Sequence, residues 1–389
     1  MIRLIYLELL QKSFKIFSIC AILGARQDGK TTLARQFGEK YFQEKVEFFN
    51  LDNPTDLASL ENPMLTLSKY DGYLIVIDEF QRKPELLPIL QILANDPIKE
   101  YKFLILGNIS KKLIEQSTKN IDTIGFIEFS PFTFFELSQE NSSAIDISNK
   151  LLNRGCYPRS YLAKSDKDSF SWRQDYITTF LERDLSSFGL HVSPQTMYKF
   201  WMMLCFYQGQ NFNASEIAKS LMLSDKTVTS YLNILSNLFI IRILPAWIED
   251  IPKRQIKTPK IYFRDTGIYN TLLSIHSMQE LARNPKVGSL WEGFALEQVI
   301  TCFQIPSKDC YFWATSNHAE LDLLVFRNGK RIGFEFKYTD SPKITKSMHI
   351  ALQDLKLDHL YVIYPGSFTF PLHEQMTVCG FDALHEIKI

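Results

Sequence analysis

The stretch GARQDGKT, residues 24–31, matches the pattern G-x-x-x-x-G-K-[ST] without a gap. It follows an apolar run, FSICAIL at 17–23, and leads into a segment of helical periodicity, TTLARQFGEKYF at 31–42. In such a loop the glycines let successive backbone N–H groups point at phosphate oxygens, while Lys30 adds positive charge and the Thr31 hydroxyl ligates Mg²⁺. This context predicts a nucleotide phosphate loop rather than a glycine-rich turn with an exposed lysine. The expected nucleotide contacts are Gly24, Gln27, Asp28, Gly29, Lys30, Thr31 and Thr32.

A second apolar run, LIVIDE at 74–79, ends in two adjacent carboxylates. Asp78 is expected to hold Mg²⁺ through water, and Glu79 to polarise the water that attacks the γ-phosphate. A glutamate at this position favours hydrolysis over nucleotide binding alone. Asn108, after the next predicted strand, is a candidate γ-phosphate sensor, although a turn asparagine explains it equally well. The predicted catalytic residues are Lys30, Glu79 and Asn108, with ATP and Mg as cofactors.

Short apolar runs alternate with helical patterns over the first part of the chain. Runs without polar alternation are typical of strands buried on both faces of a parallel sheet. Their alternation with helices predicts crossover connections, and hence an α/β fold with a P-loop parallel sheet and helices. The candidate strands are 17–23, 46–51, 73–77, 103–106 and 124–129.

The pattern changes after residue 134, and four domains are expected. Helical periodicity dominates from Trp172 to the region of Leu244, and short strands return after a helical stretch that follows Pro285. The predicted domains are a P-loop ATPase domain at 1–135, a helical lid or linker at 136–190, a winged-helix-like domain at 191–284 and an α/β nuclease-like domain at 285–389.

Composition excludes several classes of protein. The 389 residues include 43 Lys and Arg and 43 Asp and Glu, which excludes a globally basic nucleic-acid coat. With 46% hydrophobic and 22% charged residues, intrinsic disorder is also excluded. No window approaches the roughly 18 apolar residues of a membrane span, and the first residues are interpreted as a helix and a strand, not a signal peptide. The six scattered cysteines predict reduced thiols in a cytoplasmic protein.

Residues 213–235, NASEIAKSLMLSDKTVTSYLNIL, show two short helical periods. Ser215 is expected to cap the first helix, and Ser224 or Asp225 the second. Residues 238–244, LFIIRIL, are expected to form the first wing strand. Two helices at this spacing indicate a helix-turn-helix, whose second helix usually enters the major groove of DNA.

A basic segment follows the predicted helix-turn-helix. It offers five cations that could hold DNA phosphates: Lys253, Arg254, Lys257, Lys260 and Arg264. The outward face of the second helix carries one cation, Lys226. A packing module between domains, with a solvated basic loop, explains the same pattern, so DNA contact is one of two interpretations.

Two neighbouring strands in the last part of the chain carry a further constellation. Asp322 is the last residue of ELD, 320–322, at the start of one strand, and Glu335 and Lys337 lie on one face of the next. This is the spacing of PD-(D/E)XK nucleases, in which the carboxylates share a divalent metal and the lysine orients water. Glu292, on a preceding helix, is a further candidate ligand. An inactive fold of this kind, retained for DNA binding or packing, fits equally well.

The chain resembles the prokaryotic AAA+ superfamily ATPases whose ATPase domain is followed by a C-terminal region of unknown function. The resemblance covers nearly the whole chain in the family's order, and it implies ATP binding and hydrolysis by the first domain. It rests on GARQDGKTTLARQ (24–36), IDEFQRKPELLPIL (77–90), FLILGNIS (103–110), GCYPR (155–159), YITTFLERDL (176–185), KRQIKTPKIYFRDTG (253–267), WEGFALE (291–297), ELDLLVF (320–326) and GFEFK (333–337).

Three departures from the family pattern affect the predicted nucleotide site. Ala25 and Asp28 replace proline and a small apolar residue, and Asp28 is expected to weaken affinity by adding negative charge beside phosphate. The family's Thr-Gly-Ser reads Leu-Gly-Asn at 106–108. The usual Gly-Arg before the last strand of the domain reads Asp-Thr at 122–123.

Two other arginines are candidates for the charge that the missing arginine would supply. They are Arg159 and Arg183. Structural salt bridges, for example to Glu182 or Asp184, explain both residues as well.

Two functions follow from these features. The first is an ATP-hydrolysing enzyme acting on or near DNA through a winged helix and a nuclease-like domain. The alternative is an ATP-dependent regulatory switch that binds a protein partner, with an inactive nuclease-like docking domain. A metabolic kinase is a weaker reading, because no lid or acceptor site is evident. The chain could form a homo-oligomer, and no membrane partner is expected.

Overall fold

A computed structural model describes residues 2–108, 123–138, 143–185 and 192–387. The chain forms two units, Met1–Pro131 with Asn237–Phe239, and Phe132–Ser236 with Ile240–Ile389. The division into four domains stays a prediction. In the described ranges no helix is both long and apolar enough to cross a membrane.

The first unit is built on a parallel five-stranded sheet in the order β2-β3-β4-β1-β5. This confirms the predicted α/β class. The strands are β1 Ile19–Gly24, β2 Val46–Asn50, β3 Leu74–Asp78, β4 Lys102–Gly107 and β5 Ile124–Phe129. The helices are α1 Leu4–Phe14, α2 Lys30–Tyr41, α3 Pro54–Ser59, α4 Pro63–Leu67 and α5 Leu87–Ala94.

The order of the strands positions the nucleotide site. All six residues of β1 and all five of β3 are buried, as expected for central strands covered on both faces. Since β4 lies between β3 and β1, the carboxyl ends of these three strands meet at one edge of the sheet. Gly24, Asp78 and Gly107 are the last residues of the three strands.

The second unit begins with helices and a small antiparallel sheet. The helices are α6 Phe134–Ser138, α7 Ala144–Arg154, α8 Pro158–Tyr161, α9 Asp166–Thr179, α10 Pro194–Phe206, α11 Ala214–Leu221, α12 Asp225–Asn237, α13 Thr266–Leu272 and α14 Met278–Arg283, and residues Phe180–Asp184 form a π-helical segment. The small sheet has the order β6-β8-β7, with β6 Gln210–Asn211, β7 Ile241–Leu244 and β8 Lys260–Phe263.

The last part of the second unit is a mixed sheet in the order β13-β14-β12-β11-β10-β9. Its strands are β9 Cys310–Ala314, β10 Glu320–Arg327, β11 Lys330–Phe336, β12 His359–Tyr364, β13 Phe370–His373 and β14 Met376–Gly380, with helices α15 Val287–Cys302 and α16 Lys346–Asp354. Backbone hydrogen bonds from Trp247 and Ile256 to β9 join the segment after β7 to this sheet.

The segment that was predicted as a helix-turn-helix differs in detail from the expectation. Asn213, not Ser215, caps α11, because its side chain accepts a hydrogen bond from the Glu216 N–H at 3.3 Å. Ser224 caps α12, accepting from Thr227 N at 3.1 Å. The strand expected at 238–244 begins only at Ile241, because Phe239 takes a left-handed backbone conformation with φ 61°.

Two segments that carry the family resemblance meet around a buried carboxylate. The Asp265 side chain caps α13 through the Ile268 N–H at 2.8 Å and accepts the Cys156 N–H at 2.6 Å. Gly155 has φ 78°, and a Cβ there would lie 2.4 Å from Asp265 Oδ1. Hence the start of GCYPR and the RDTG end of 253–267 pack together around this carboxylate.

Candidate nucleotide site and C-terminal carboxylate cluster

The predicted phosphate loop joins β1 to α2 through residues in special backbone conformations. Gly29 has φ 108°, a value that side chains rarely tolerate, and α2 begins at the next residue. A Cβ on Gly24 would approach the Phe129 carbonyl oxygen to 2.5 Å, so a side chain does not fit there. The loop therefore curls tightly ahead of a helix N-terminus, where backbone N–H groups and the helix dipole favour an anion.

The Lys30 ammonium is turned onto its own loop. It donates to the carbonyl oxygens of Gly24 at 3.1 Å and Ala25 at 2.6 Å, and it forms an ion pair with Asp28 Oδ1 at 2.9 Å. The side chain is only 5% exposed. A phosphate that binds Lys30 must replace these loop oxygens.

Asp28 lies inside the loop rather than facing solvent. Its side chain is 1% exposed, and Oδ1 also accepts the Lys30 N–H at 3.3 Å. Oδ2 has no hydrogen-bond partner among the described residues. Burial raises the pKa of this carboxyl above its usual range, and the Lys30 charge opposes that rise. The Asp28 carboxyl is therefore paired with Lys30, and its effect on phosphate binding stays a prediction.

Thr31 and Asp78 are brought together at the same edge of the sheet. The Thr31 hydroxyl donates to Asp78 Oδ2 at 2.6 Å, and Asp78 Oδ1 accepts the Glu79 N–H at 2.9 Å. A hydroxyl and a carboxylate are oxygen donors of the kind that Mg²⁺ prefers. The residues present therefore fit this ion.

Glu79 is held by two amide side chains. Its backbone is left-handed, with φ 56°, and its Oε2 accepts hydrogen bonds from Asn108 Nδ2 at 2.6 Å and from Gln81 Nε2. The Asn108 N–H in turn donates to Gln81 Oε1 at 3.2 Å. Burial raises the pKa of Glu79, which the Asn108 hydrogen bond opposes and the Asp78 charge reinforces. The sequence analysis did not identify Gln81 as a partner of Glu79. Its position two residues after Glu79, in a turn, could have indicated this contact.

The remaining predicted contacts of the loop differ in exposure. Gln27 and Thr32 are exposed, whereas Gly29 is half-buried. Thr123, which stands where the family has arginine, is exposed and accepts a hydrogen bond from Gln91 Nε2 at 3.2 Å. Asp122 lies outside the described residues.

The two alternative arginines are not part of the first unit. Arg159 and Arg183 are exposed residues of the second unit. Glu182 is likewise exposed, and the side chain of Asp184 lies outside what the structure describes. The role of either arginine at the nucleotide site stays a prediction.

The C-terminal constellation is assembled in the second unit, but with lysines among the carboxylates. Lys337 Nζ pairs with Glu335 Oε2 at 2.6 Å and lies 4.0 Å from Asp322 Oδ2. Lys260 Nζ lies 3.2 Å from Glu292 Oε1 and 3.9 Å from Asp322 Oδ1. The predicted residues thus come together, and Lys260 joins them from a segment that was assigned to DNA phosphates.

The expected metal site formed by Glu292, Asp322 and Glu335 stays a prediction. Within the described ranges, no group of three or more His, Cys, Asp or Glu side chains could hold a metal ion. The physical reason is that ammonium groups stand between the carboxylates. Burial raises the pKa of Glu292 and of Glu335, and the Asp322 charge adds to the rise in both.

The basic segment after the helix-turn-helix is largely occupied by carboxylates. Lys253 pairs with Asp354 at 2.6 Å, and Arg264 pairs with Glu297 at 3.2 Å. Lys260 is buried in the carboxylate cluster. Three of the five cations predicted to hold phosphates are therefore held by this chain's own acids. The other two, Arg254 and Lys257, are exposed.

Three family models match consecutive parts of the chain. An AAA domain matches residues 17–138, a domain of unknown function (DUF8612) matches 146–279, and a domain of unknown function (DUF4143) matches 287–384. The first match confirms the prediction of an ATP-binding AAA domain. The last two confirm that a C-terminal region of unknown function follows it.

Two curated proteins are similar over most of the chain. Uncharacterized protein Rv2008c of Mycobacterium tuberculosis and uncharacterized protein Mb2031c of Mycobacterium bovis are each 41% identical over 366 residues, which cover 94% of this chain and 80% of theirs. The chain belongs to their family. The AAA domain match supplies the architecture of the first unit, and the role of the second unit stays open.

Solved structures with some likeness are ATPases of distant sequence. The Walker-type ATPase PABY2304 of Pyrococcus abyssi is 14% identical, covers 69% of this chain and 94% of its own, and has a TM-score of 0.47. The Thermotoga maritima RuvB Holliday junction branch migration motor is 17% identical over 62% of this chain and 87% of its own, with a TM-score of 0.27. Neither likeness bears on what this family member acts on.

Proposed function

We propose that the first unit hydrolyses ATP in the presence of Mg²⁺. The observation that carries the proposal is the hydrogen-bonded series that runs from Thr31 through Asp78 to Glu79 and Asn108 at one edge of the sheet. Such a series supports a site in which phosphate binding, metal binding and water activation are adjacent. Mg²⁺ bound by Thr31 and Asp78 would neutralise charge on the β- and γ-phosphates.

In this proposal each side chain of the site has one role. Lys30 leaves its loop oxygens and binds the β- and γ-phosphates. Glu79 orients a water molecule and accepts its proton as the water oxygen attacks the γ-phosphorus and the bond to the bridging oxygen breaks. Asn108 and Gln81 hold the Glu79 carboxylate in position and limit its basicity until substrate is bound.

The test is the substitution Glu79→Gln in the full chain. An amide keeps the shape of the side chain but does not accept the proton, so we expect ATP binding to persist and turnover to fall by roughly 10²-fold or more. ATP hydrolysis is measured by phosphate release, and binding by a fluorescent ATP analogue. Glu85→Gln, at an exposed acid in the same segment, is the matched control. A Glu79→Gln chain that hydrolyses ATP at the unsubstituted rate contradicts the proposal.

For the second unit, two functions remain as candidates: action on or near DNA, and an ATP-dependent switch that binds a protein partner. We infer that the switch is favoured. The supporting observations are that Lys253, Lys260 and Arg264 are engaged by carboxylates, and that the nuclease-like carboxylates are engaged by lysines. Three of the five cations that would bind DNA, and the carboxylates that would bind a catalytic metal, thus have ion-pair partners within the chain.

A further inference from the structure

Lys260 is the least expected member of the C-terminal carboxylate cluster, which we define as Glu292, Glu320, Asp322 and Glu335. Its side chain is 4% exposed. The ammonium contacts Glu320 Oε1 and lies 3.2 Å from Glu292 Oε1 and 3.9 Å from Asp322 Oδ1. One cation therefore faces three of the four carboxylates.

The fourth carboxylate is paired with a second lysine. Lys337 pairs with Glu335 at 2.6 Å and approaches Asp322 Oδ2 to 4.0 Å. Asp322 is thus between the two ammonium groups, with Oδ1 towards Lys260 and Oδ2 towards Lys337. Each member of the cluster has an ammonium group within ion-pair distance, and two ammonium groups face the four carboxylates.

The backbone holds Lys260 in this position. Strand β8 pairs with β6 on one side and β7 on the other, and Lys260 is opposite Asn211 and Leu244. Because side chains alternate along a strand, Tyr262 shares the face of Lys260, and its hydroxyl donates to Glu292 Oε1 at 2.6 Å. Removing Lys260 from the cluster would therefore require a change in the small sheet itself.

We propose that Lys260 is the resident cation of the carboxylate cluster and takes the place that a divalent metal has in a nuclease. A metal ion binds carboxylate oxygens at about 2.0–2.6 Å, and an ammonium at Lys260's position would repel it at close range. The cluster accordingly connects β8 of the small sheet to α15 and β10 by ion pairs, and it does not recruit Mg²⁺ or Mn²⁺. This inference concerns the second unit and is independent of ATP hydrolysis by the first.

The test compares Mn²⁺ binding to full-length variants without nucleotide, by electron paramagnetic resonance. The unsubstituted chain and Asp322→Asn with Glu335→Gln are expected to bind the same amount of Mn²⁺. Lys260→Met removes the ammonium while keeping the length of the side chain, so it is expected to bind one additional Mn²⁺. Saturating Mn²⁺ should then raise its melting temperature by about 5 °C, by mass action on the folded state. Lys253→Met, which removes an exposed ammonium paired with Asp354, is the matched control and should gain no site.

Two results overturn the proposal. In the first, the unsubstituted chain binds more Mn²⁺ than the chain with Asp322→Asn and Glu335→Gln. This comparison tests the proposal even if Lys260→Met does not fold. The other is a folded Lys260→Met chain that binds no additional Mn²⁺. The proposal on Lys260 and the proposal on ATP hydrolysis fail separately. If Glu79→Gln does not change the rate of ATP hydrolysis, the expected result of the Mn²⁺ comparison stays the same.

Discussion

In the phosphate loop, the Asp28 carboxylate takes the contact with Lys30 that a nucleotide phosphate would make. The two side chains are 2.9 Å apart and almost fully buried. A buried ion pair of this kind is costly to break, because each charge loses its partner in a medium of low polarity. Binding of ATP therefore competes with an interaction inside the loop.

At this scale we predict that Asp28→Asn strengthens ATP binding by about tenfold, since a hydrogen bond to a charged group contributes about 1.5–3 kcal/mol. The amide keeps the volume of the carboxyl but removes the negative charge that holds Lys30 and repels phosphate. Calorimetric titration with a non-hydrolysable ATP analogue measures the change. Asp52→Asn, at a more exposed acid that pairs with Arg82, serves as the control. Equal or weaker binding by Asp28→Asn would show that the carboxylate does not compete.

At the scale of elements, helix α15 carries two carboxylates that are attached to the small sheet. Glu292 contacts Lys260 and Tyr262 of β8, and Glu297 contacts Arg242 of β7 and Arg264 just after β8. Burial alone would raise the pKa of Glu297, but the two guanidinium groups hold it below its usual range. The WEGFALE segment is therefore explained by ion pairs between a helix and a sheet.

We predict that Glu297→Gln lowers the free energy of unfolding of the second unit by about 3–5 kcal/mol at neutral pH, because the buried Arg242 and the half-buried Arg264 lose the carboxylate that pairs with both. Urea denaturation monitored by tryptophan fluorescence gives the value. Asp340→Asn, at an exposed acid of the same unit, should change little. Since the folded-state pKa of Glu297 is lowered, its contribution is present above the unfolded-state pKa and is lost as pH falls through the folded-state value. If the difference in the free energy of unfolding between the unsubstituted chain and Glu297→Gln does not decrease at acid pH, the assignment of these ion pairs is contradicted.

At the scale of the whole molecule, an AAA unit is joined to a unit in which three of the five cations of the basic segment are paired with carboxylates. Arg254 and Lys257 are the cations of the basic segment that are exposed and outside the ion pairs described above. Each DNA phosphate contact adds about 0.9 to the steepness with which the logarithm of the binding constant falls against the logarithm of the salt concentration. Two cations would therefore give a shallow salt dependence and weak binding.

We predict that the full chain gives no gel shift with duplex DNA at micromolar protein in physiological salt. The same assay on Arg254→Ala with Lys257→Ala is the control. A salt-dependent shift of the unsubstituted chain that disappears in the double variant would favour action on DNA over a protein-binding switch. The assay is repeated with ATP and Mg²⁺, which tests whether nucleotide binding exposes the basic segment to DNA.

The sequence alone determined the features that depend on neighbouring residues. The phosphate loop at 24–31 was predictable because its glycines, lysine and threonine act within one turn between a strand and a helix. The parallel sheet followed from short buried runs alternating with helices. Ser224 was one of the two expected caps of α12 for the same local reason. The start of α11 was less predictable, because Asn213 caps it and the expected cap, Ser215, lies two positions later.

Only the tertiary structure decided which charged groups meet. Lys260 was assigned to a basic segment, since nothing near it in sequence indicates Glu292, Glu320 or Asp322. Its place in the cluster depends on how β8, α15 and β10 pack, over separations of 32 to 62 residues. Electrostatic interactions depend on distance in space and on burial, and neither can be read from residue spacing once the chain crosses between elements. The same reason explains why the sequence did not indicate that Lys260 lies among the carboxylates of the predicted metal site.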